Sequence, residues 1–217
     1  MNRAARIEDF LASAGWPGAD HATLAEDASF RRYERVTRPG EPAVLMDAPP
    51  DREEVRPFMK IASQLSALGF SAPRILAEDV GAGFLLLEDL GDATFSRLMD
   101  AGEEAAPLYT LATDVLIELH RTPSVDAVPP GTSVYSDALL LTEASLLTEW
   151  YLPVVTGEDT QDTVAAAYRG IWAALLPLAR HVPDTLVLRD FHVDNLMRIA
   201  GRDGISACGL LDFQDAV

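Results

Sequence analysis

Residues 188–195 read LRDFHVDN, and residues 210–216 read LLDFQDA. In the first segment Asp190 stands five residues before Asn195, and the second segment carries a further aspartate, Asp212. An aspartate and an asparagine at this spacing can project from one tight loop toward one point. Carboxylate and amide oxygens are hard ligands, which Mg²⁺ prefers together with phosphate oxygens and water. The pattern therefore predicts that Asn195 and Asp212 bind magnesium and that Asp190 stays free to accept a proton.

The order of these residues is that of a phosphoryl-transfer site. Catalytic loops of kinases read H-R-D-x-x-x-x-N and are followed by D-F-G. Asp190 and Asn195 fill the first template, Leu188 replaces its histidine, and residues 212–214 read DFQ in place of D-F-G. In such a site magnesium neutralises the charge that spreads over the transferred oxygens, and the loop aspartate accepts the proton of an acceptor hydroxyl.

An ordinary pair of turns would use the same residue types. Aspartate and asparagine favour turns, and D-x-x-x-x-N on its own is common. Here an apolar, strand-like run at residues 186–188 precedes the motif, a second apolar run follows Asn195, and D-F-Q stands at the distance found in kinases. Together these features favour the core of a phosphotransferase.

The first 90 residues predict a small α+β lobe. Hydrophobic periodicity and turn residues indicate a helix at 4–14, strands at 29–37 and 43–47, a helix at 52–68, and strands at 75–80 and 83–88. Asp51 and Glu54 have the spacing of a capping box, so we expect them to open the second helix.

The remaining residues predict a mostly helical lobe. Helical periodicity covers residues 94–101, 103–121, 136–150 and 161–180, and a loop with three prolines covers 122–134. A β-rich lobe of residues 1–90 followed by a helical lobe of residues 91–217, with the LRDFHVDN loop after the helices, is an α+β, protein-kinase-like bilobal fold.

The composition restricts the partners and the compartment. Of 217 residues, 34 are acidic and 17 are basic, and the net charge of −17 argues against a nucleic-acid partner. Cys208 is the only cysteine, which excludes an intrachain disulfide, and its apolar neighbours indicate a buried thiol. Glu8 and Asp9 interrupt the N-terminal segment, and no window approaches the roughly 18 uninterrupted apolar residues of a membrane span. We expect a cytoplasmic protein that binds no membrane.

The segment DASFRRY, residues 27–33, occupies the position of the loop that covers the phosphates of ATP in kinases. It contains no glycine and therefore departs from G-x-G-x-x-G. The backbone around Ser29 and Phe30 and the side chains of Arg31 and Arg32 are candidates for phosphate binding. An edge hairpin with solvated arginines accounts for the segment equally well.

Two further positions bear on nucleotide binding. Glu88 and Leu90 follow the last strand of the first lobe, where kinases pair backbone groups with adenine, although a strand end before a helix cap would look the same. Met46 occupies the strand position of the lysine that normally holds the α- and β-phosphates. Lys60, the only lysine, lies in a predicted helix. We hypothesise that the two arginines of the DASFRRY segment replace the missing cation.

Three residues are weaker candidates for binding the acceptor. His192 lies two residues after Asp190 and could orient the loop or contact a sugar, and a structural histidine is an equal alternative. Trp150 and Tyr151 end a predicted helix, and a sugar ring could stack on them if they were exposed. Aromatic residues at a helix end belong to the core more often than not.

Several of these segments resemble the aminoglycoside-phosphotransferase-like kinases. The residues that carry the resemblance are 28–33 (ASFRRY), 44–50 (VLMDAPP), 188–197 and 210–216. The arginine pair and the VLMDAPP segment are most similar to the bacterial N-acetylmuramate/N-acetylglucosamine anomeric kinases. The resemblance implies ATP and Mg²⁺ as cofactors, Asp190 as the catalytic base, and phosphorylation of an amino sugar at its anomeric hydroxyl in the recycling of cell-wall sugars.

The resemblance leaves alternatives open. Kinases of this type continue well beyond the position of Val217, so we expect an incomplete helical lobe and reduced or absent turnover of the 217-residue chain. A kinase for another small acceptor, such as an aminoglycoside, choline or homoserine, is compatible with the acidic charge. Met46 and the glycine-free segment would also suit a catalytically silent nucleotide-binding protein.

Overall fold

An antiparallel sheet forms the first unit of the structure, a computed structural model that describes residues 2–26 and 30–217. Within those residues the strands of this sheet are β1 Asp20–Glu26, β2 Arg32–Arg38, β3 Glu41–Asp47, β4 Ile75–Asp79 and β5 Phe84–Glu88, in the order β1-β2-β3-β5-β4. The most buried strands, β3 and β5, pair with each other near the centre, as their continuous apolar runs predict.

The strand β1 is missing from the prediction made from the sequence. Its sequence DHATLAE lacks a strict alternation of apolar and polar residues, so it carries no periodic signal. It forms by pairing with β2, starting with Asp20 opposite Thr37. The predicted strand at 29–37 begins only at Arg32 in the structure.

The helix α1, Arg3–Ser13, covers one face of the sheet. Its apolar side chains Phe10 and Leu11 are buried in a cluster with Leu45 of β3 and Leu86 of β5. The helical spacing of these residues in the sequence predicts this arrangement.

The helix α2, Arg56–Ala67, covers the opposite face. Phe58 and Leu65 are buried in a second cluster that includes Met46 of β3 and Leu85 of β5. Because successive residues of a strand point to opposite faces, alternate residues of β3 and β5 lie on the side of α1 and on the side of α2.

The start of α2 corrects the prediction of a capping box. The helix begins at Arg56 instead of residue 52, and no side chain caps it. Pro57 presets the backbone of the first turn. The carboxylate of Glu54 accepts a hydrogen bond of 3.2 Å from the N–H of Arg56, two residues later. It therefore does not form the reciprocal pair with Asp51 that defines a capping box.

The second unit is mostly helical in the part of the chain that the structure describes. Its elements are α3 Phe95–Asp100, α4 Ala105–Arg121, α5 Ser124–Ala127, α6 Asp137–Leu146, α7 Leu152–Thr156, α8 Asp162–Ala179, and a hairpin of β6 Leu196–Arg198 and β7 Cys208–Leu210 with a 3₁₀ turn at Gly204–Ala207. The predicted α+β class is confirmed.

The helix predicted at 136–150 is split in the structure. A π-helical turn, Leu147–Tyr151, separates α6 from α7. Pro153 has no N–H to donate and its ring crowds the carbonyl of Glu149, which disfavours a continuous α-helix. The N–H of Leu152 donates instead to the carbonyl of Leu147.

One stretch of the helical unit, Asp137–Thr156, is long and apolar enough to cross a membrane by length and mean hydropathy. The sequence expectation concerned uninterrupted apolar residues, whereas an average over the window tolerates isolated charges such as Glu143. A single such stretch is weak evidence for a membrane span. In the fold, α6 packs against α8.

A single hydrophobic cluster runs through both units. It joins Met46 and Leu85 of the sheet to Val115 of α4 and to Phe213. Cys208 is buried in the same cluster, and this burial raises the pKa of its thiol to about 12, in agreement with a core cysteine. Because the cluster is continuous, the division into two lobes at residue 90 stays a prediction.

Candidate active site

The loop that carries Asp190 leaves a short extended segment. The backbones of Val187 and Val217 exchange hydrogen bonds of 2.8 and 3.0 Å, which fixes the direction of the chain before the loop. Arg189 then has a φ of 62°, a left-handed conformation that is unfavourable for a residue with a side chain. The N–H of Asp190 donates to the carbonyl of Leu188 at 2.8 Å. The side chain of Asp190 is exposed after this turn.

Asn195 and Asp212 meet because the two strands of the hairpin pair. The N–H of Leu211 donates to the carbonyl of Asn195 at 2.9 Å. The side-chain Nδ2 of Asn195 lies 3.5 Å from Oδ2 of Asp212 and donates to the backbone carbonyl of Asp190 at 3.0 Å. The structure thus brings together the three residues of the motif, and their catalytic roles stay predictions.

The DFQ segment fixes Asp212 from two sides. Asp212 itself has a φ of 53°, and Nε2 of Gln214 donates to its Oδ1 at 2.6 Å. Phe213 is buried and stacks on Phe58 of α2, with ring centroids 4.9 Å apart. The glutamine in place of the usual glycine therefore orients the aspartate.

The donor set at this point suits magnesium. Asp212 offers a carboxylate and Asn195 an amide oxygen, and phosphate oxygens and water complete the usual shell of Mg²⁺. In the described residues, no group of three or more His, Cys, Asp or Glu could hold a metal ion. The amide nitrogen of Asn195 faces Asp212, so ligation by its oxygen requires a half-turn of the amide.

A cavity of about 510 Å³ opens between the sheet and the helical unit. Its volume is typical of small-molecule sites. Residues 88–92, at and after the end of β5, are called the connector below. Glu88 and Leu90 of the connector form one wall of the cavity, and Tyr33 of β2 lies on the sheet side. Asn195 and Asp212 line it as well. Glu88 and Leu90 therefore share one cavity with the predicted metal residues, whereas Phe30, Arg31 and Arg32 do not line it.

Acidic side chains hold the connector, a feature that the sequence interpretation missed. Glu88 pairs with Arg74 at 3.0 Å and with Arg202 at 2.7 Å. The side chain of Asp89 is only 5% exposed and pairs with Arg35 of β2 at 2.5 Å. Because these carboxylates are engaged, the backbone of the connector is the part left to contact a ligand.

The segment before β2 is tied to the loop before α2. The N–H of Phe30 donates to Oε1 of Glu53 at 3.2 Å, which corrects the expectation that this N–H faces phosphates. Nε of Arg31 lies 3.2 Å from Oε2 of Glu53. Arg32 begins β2 and is exposed, and Ser29, the other candidate here, lies outside the described residues.

Met46 is a core residue. It is fully buried and lies opposite Tyr33 in β2 and Leu85 in β5. Arg31, the predicted replacement for the lysine, forms an ion pair with Glu53. Burial acts to lower the pKa of the Arg31 guanidinium, but Tyr33 and Glu53 outweigh it and the pKa is raised, so Arg31 stays charged.

The candidates for acceptor binding lie in two places. Nε2 of His192 is 3.2 Å from Nδ2 of Asn195, and its Nδ1 is 3.6 Å from Asp194, so it belongs to the catalytic loop. Trp150 and Tyr151 lie on the π-helical turn and are 71% and 59% exposed, so the preference for a core position is wrong. They do not line the cavity described above, and their contact with an acceptor stays a prediction.

Arg189 has a partner that no motif indicates. Its Nη2 lies 2.7 Å from Oε1 of Glu143 on α6, and the hydroxyl of Tyr135 donates to the other oxygen of this carboxylate. A pairing between a helix and a distant loop depends on tertiary packing, so local sequence patterns carry no signal for it.

Comparison with known proteins places these features in a family. Residues 20–217 match the phosphotransferase enzyme family. The N-acetylmuramate/N-acetylglucosamine kinase of Pseudomonas putida is 37% identical over 98% of this chain, and that of Caulobacter vibrioides is 32% identical over 96%. The chain spans 60% of the first relative and 66% of the second, less than two thirds of either.

A solved structure supports the fold. The streptomycin–ATP complex of APH(2")-IIa matches 100% of this chain and 72% of that protein with a TM-score of 0.59 and 15% identity. The protein-kinase-like fold predicted from the sequence is confirmed by this likeness. With that fold, and with a family match that extends over residues 20–217, the chain belongs to the phosphotransferase enzyme family.

Proposed function

We propose that this protein is an ATP-dependent kinase that phosphorylates the anomeric hydroxyl of N-acetylmuramate or N-acetylglucosamine. The observation that carries the proposal is the meeting of Asn195 and Asp212 in one cavity, with Asn195 bound to the backbone carbonyl of Asp190. Family membership supports phosphoryl transfer. The names of relatives at 32% and 37% identity support the amino-sugar acceptor.

ATP is assigned to the cavity between the sheet and the helical unit. Adenine would pair with the connector backbone near Glu88 and Leu90, which the ion pairs of Glu88 and Asp89 hold in place. The phosphates would then extend toward Asn195 and Asp212. The complex of APH(2")-IIa contains ATP and shares the fold, which supports a nucleotide site in this fold.

The transfer step follows from these positions. The acceptor oxygen forms a bond to the γ-phosphorus, the bond between that phosphorus and the β–γ bridging oxygen breaks, and ADP leaves with the electron pair. The proton of the acceptor hydroxyl passes to the exposed carboxylate of Asp190. Magnesium held by Asn195 and Asp212 would neutralise charge on the phosphate oxygens.

Arg31 and Arg32 are assigned the task of the absent lysine. Met46 is buried and cannot contact a phosphate. Arg31 is charged and stands beside Tyr33, which lines the cavity, and Arg32 is exposed at the start of β2. A guanidinium binds phosphate oxygens through two parallel hydrogen bonds, which a methionine cannot replace.

The setting of the reaction follows from its chemistry. ATP is made and used in the cytoplasm, so we place the protein there, acting on amino sugars recovered from the cell wall. A net charge of −17 does not favour a polyanionic partner.

An acceptor screen tests the proposal. Magnesium-dependent release of ADP is measured with N-acetylmuramate, N-acetylglucosamine and kanamycin as acceptors. In a chain of its relatives' full length we expect turnover with the two amino sugars, and lower turnover in the 217-residue chain. Asp190→Asn should lose at least about 100-fold, since a general base contributes that much or more. The matched control is Asp184→Asn, an exposed aspartate ahead of the same loop, which should keep wild-type turnover.

Two outcomes would contradict the proposal. Turnover with kanamycin alone would replace the amino sugar by another small acceptor. Folded protein of the full length of its relatives that binds ATP but releases no ADP with any acceptor would favour a silent nucleotide-binding protein.

A further inference from the structure

The residue before the catalytic aspartate is held from outside its loop. Arg189 has a left-handed backbone conformation, which costs free energy and persists only where surrounding contacts fix it. Nη2 of its guanidinium lies 2.7 Å from Oε1 of Glu143. The two side chains are 30% and 28% exposed, so the pair is screened less by water than a surface ion pair.

Glu143 is in turn fixed by a second contact. The hydroxyl of Tyr135 donates to its Oε2, while Oε1 meets Arg189 in an ion pair and accepts no hydrogen bond. Burial and then the hydrogen bond to Glu143 raise the pKa of Tyr135 to about 12, so this hydroxyl stays protonated at neutral pH. The backbone carbonyl of Tyr135 accepts a hydrogen bond of 3.0 Å from Arg180 at the end of α8. The carboxylate is therefore held by the helical unit and points at the loop.

Inside the loop, the backbone connects the contact between Glu143 and Arg189 to the reacting groups. The N–H of Asp190 donates to Leu188, and the carbonyl of Asp190 accepts from Asn195 at 3.0 Å. A rotation of the backbone at Arg189 would therefore move the proposed base and the proposed magnesium ligand together. The nucleotide-binding connector has separate anchors, Arg35 and Arg202.

We propose that Glu143, supported by Tyr135, is a positioning residue for phosphoryl transfer that acts through Arg189. The proposal rests on the proposed function, because it assigns a catalytic purpose to the geometry of the loop. Glu143 contacts neither substrate nor magnesium in this assignment. Its contribution is the orientation of Asp190 relative to the acceptor hydroxyl.

The kinetic signature separates this role from a general effect on folding. Small displacements of a catalytic group lower the rate of the chemical step strongly. We expect Glu143→Gln to lower kcat about tenfold while the KM for ATP changes less than about twofold, because the connector is untouched. Tyr135→Phe removes one hydrogen bond and keeps the charge of Glu143, so its loss of kcat should be smaller.

A double-mutant cycle tests the route through Arg189. If Glu143 acts through the guanidinium, Glu143→Gln should lower kcat no further once Arg189→Met is present. Additive losses would overturn the proposal. The matched control is Glu103→Gln, which removes a Glu–Arg pair of similar length, 2.8 Å to Arg198, and should leave kcat unchanged.

Hydrogen exchange of the backbone amides keeps the test independent of turnover. In Glu143→Gln the amides of residues 188–195 should exchange faster than in the wild type, while the sheet exchanges as before. If the wild type lacks kinase activity but residues 188–195 still exchange faster in Glu143→Gln, the proposed function fails. The conclusion that Glu143 holds the loop in place then stands on its own. If the loop exchanges as in the wild type and kcat is unchanged, the proposal is overturned.

Discussion

Met46 occupies the predicted position of the lysine that kinases use to hold ATP, and its surroundings disfavour a charged side chain. The side chain is fully buried between Tyr33 and Leu85, where an ammonium group would lose its hydration. Arg31, to which we assign the role of that lysine, pairs with Glu53. The sequence shows the missing lysine and the arginine pair, but only the structure shows the glutamate.

At the scale of single residues, Arg31 and Arg32 lead to a prediction about ATP binding. Replacing Arg31 and Arg32 together by alanine should weaken ATP binding about tenfold, the value of one hydrogen bond to a charged group. Titration of ATP in the presence of magnesium measures the change. Arg38→Ala, at the far end of β2 and paired with Glu41, is the control and should bind ATP normally. Unchanged affinity in the double variant would show that another group holds the phosphates.

At the scale of elements, the starts of α2 and α6 show that a residue suited to capping in the sequence does not always cap a helix in the structure. The capping-box spacing of Asp51 and Glu54 predicts a helix start that the structure moves to Arg56. Ser136, at the start of α6, accepts a hydrogen bond of 3.3 Å from the N–H of Leu139 and is a true N-cap.

This difference predicts unequal effects on stability. Ser136→Ala should lower the free energy of unfolding by about 1 kcal/mol, the usual value of an N-cap. Asp51→Ala should change it by less than about 0.5 kcal/mol, as for an ordinary surface position. Denaturant unfolding of both variants measures the two values side by side. A larger loss in Asp51→Ala would mean that this carboxylate does cap α2.

Other elements show how far local patterns extend. The helices that cover the sheet have clear apolar stripes and were predictable within a few residues. The strand β1 has no alternation and forms only because β2 offers its edge. The π-helical turn before Pro153 lies within a run of helical periodicity, and a proline disfavours a continuous α-helix without indicating a π-turn in particular.

At the scale of the whole molecule, charged contacts join the sheet to the connector that lines the cavity. Arg35 of β2 binds Asp89 and Asp92 together. Hydrogen bonds from Arg35 lower the pKa of Asp92. A lowered pKa means that this contribution is complete above the ordinary aspartate value of about 3.9 and is lost only as the pH falls through the lowered value. The contact therefore persists at neutral pH.

Some contacts of the candidate site could be predicted from the sequence, and others could not. The spacing of Asp190, Asn195 and Asp212 in the sequence predicts their convergence, because a hairpin brings the ends of one motif together. The contacts of Glu143 with Arg189 and of Arg35 with Asp89 join residues from different elements. Such pairs arise from tertiary packing, so neither could be predicted from one sequence.

The most direct test is the rate of phosphoryl transfer from ATP to N-acetylmuramate, measured against magnesium concentration. We compare the wild type with Asp190→Asn and Asp212→Asn. The division of roles predicts that Asp190→Asn stays at least about 100-fold slow at every magnesium concentration. Asp212→Asn should recover part of its rate as magnesium rises, because a ligand has been lost and the base remains. Wild-type transfer by Asp190→Asn, or an unchanged magnesium dependence in Asp212→Asn, would contradict the assignment of the site.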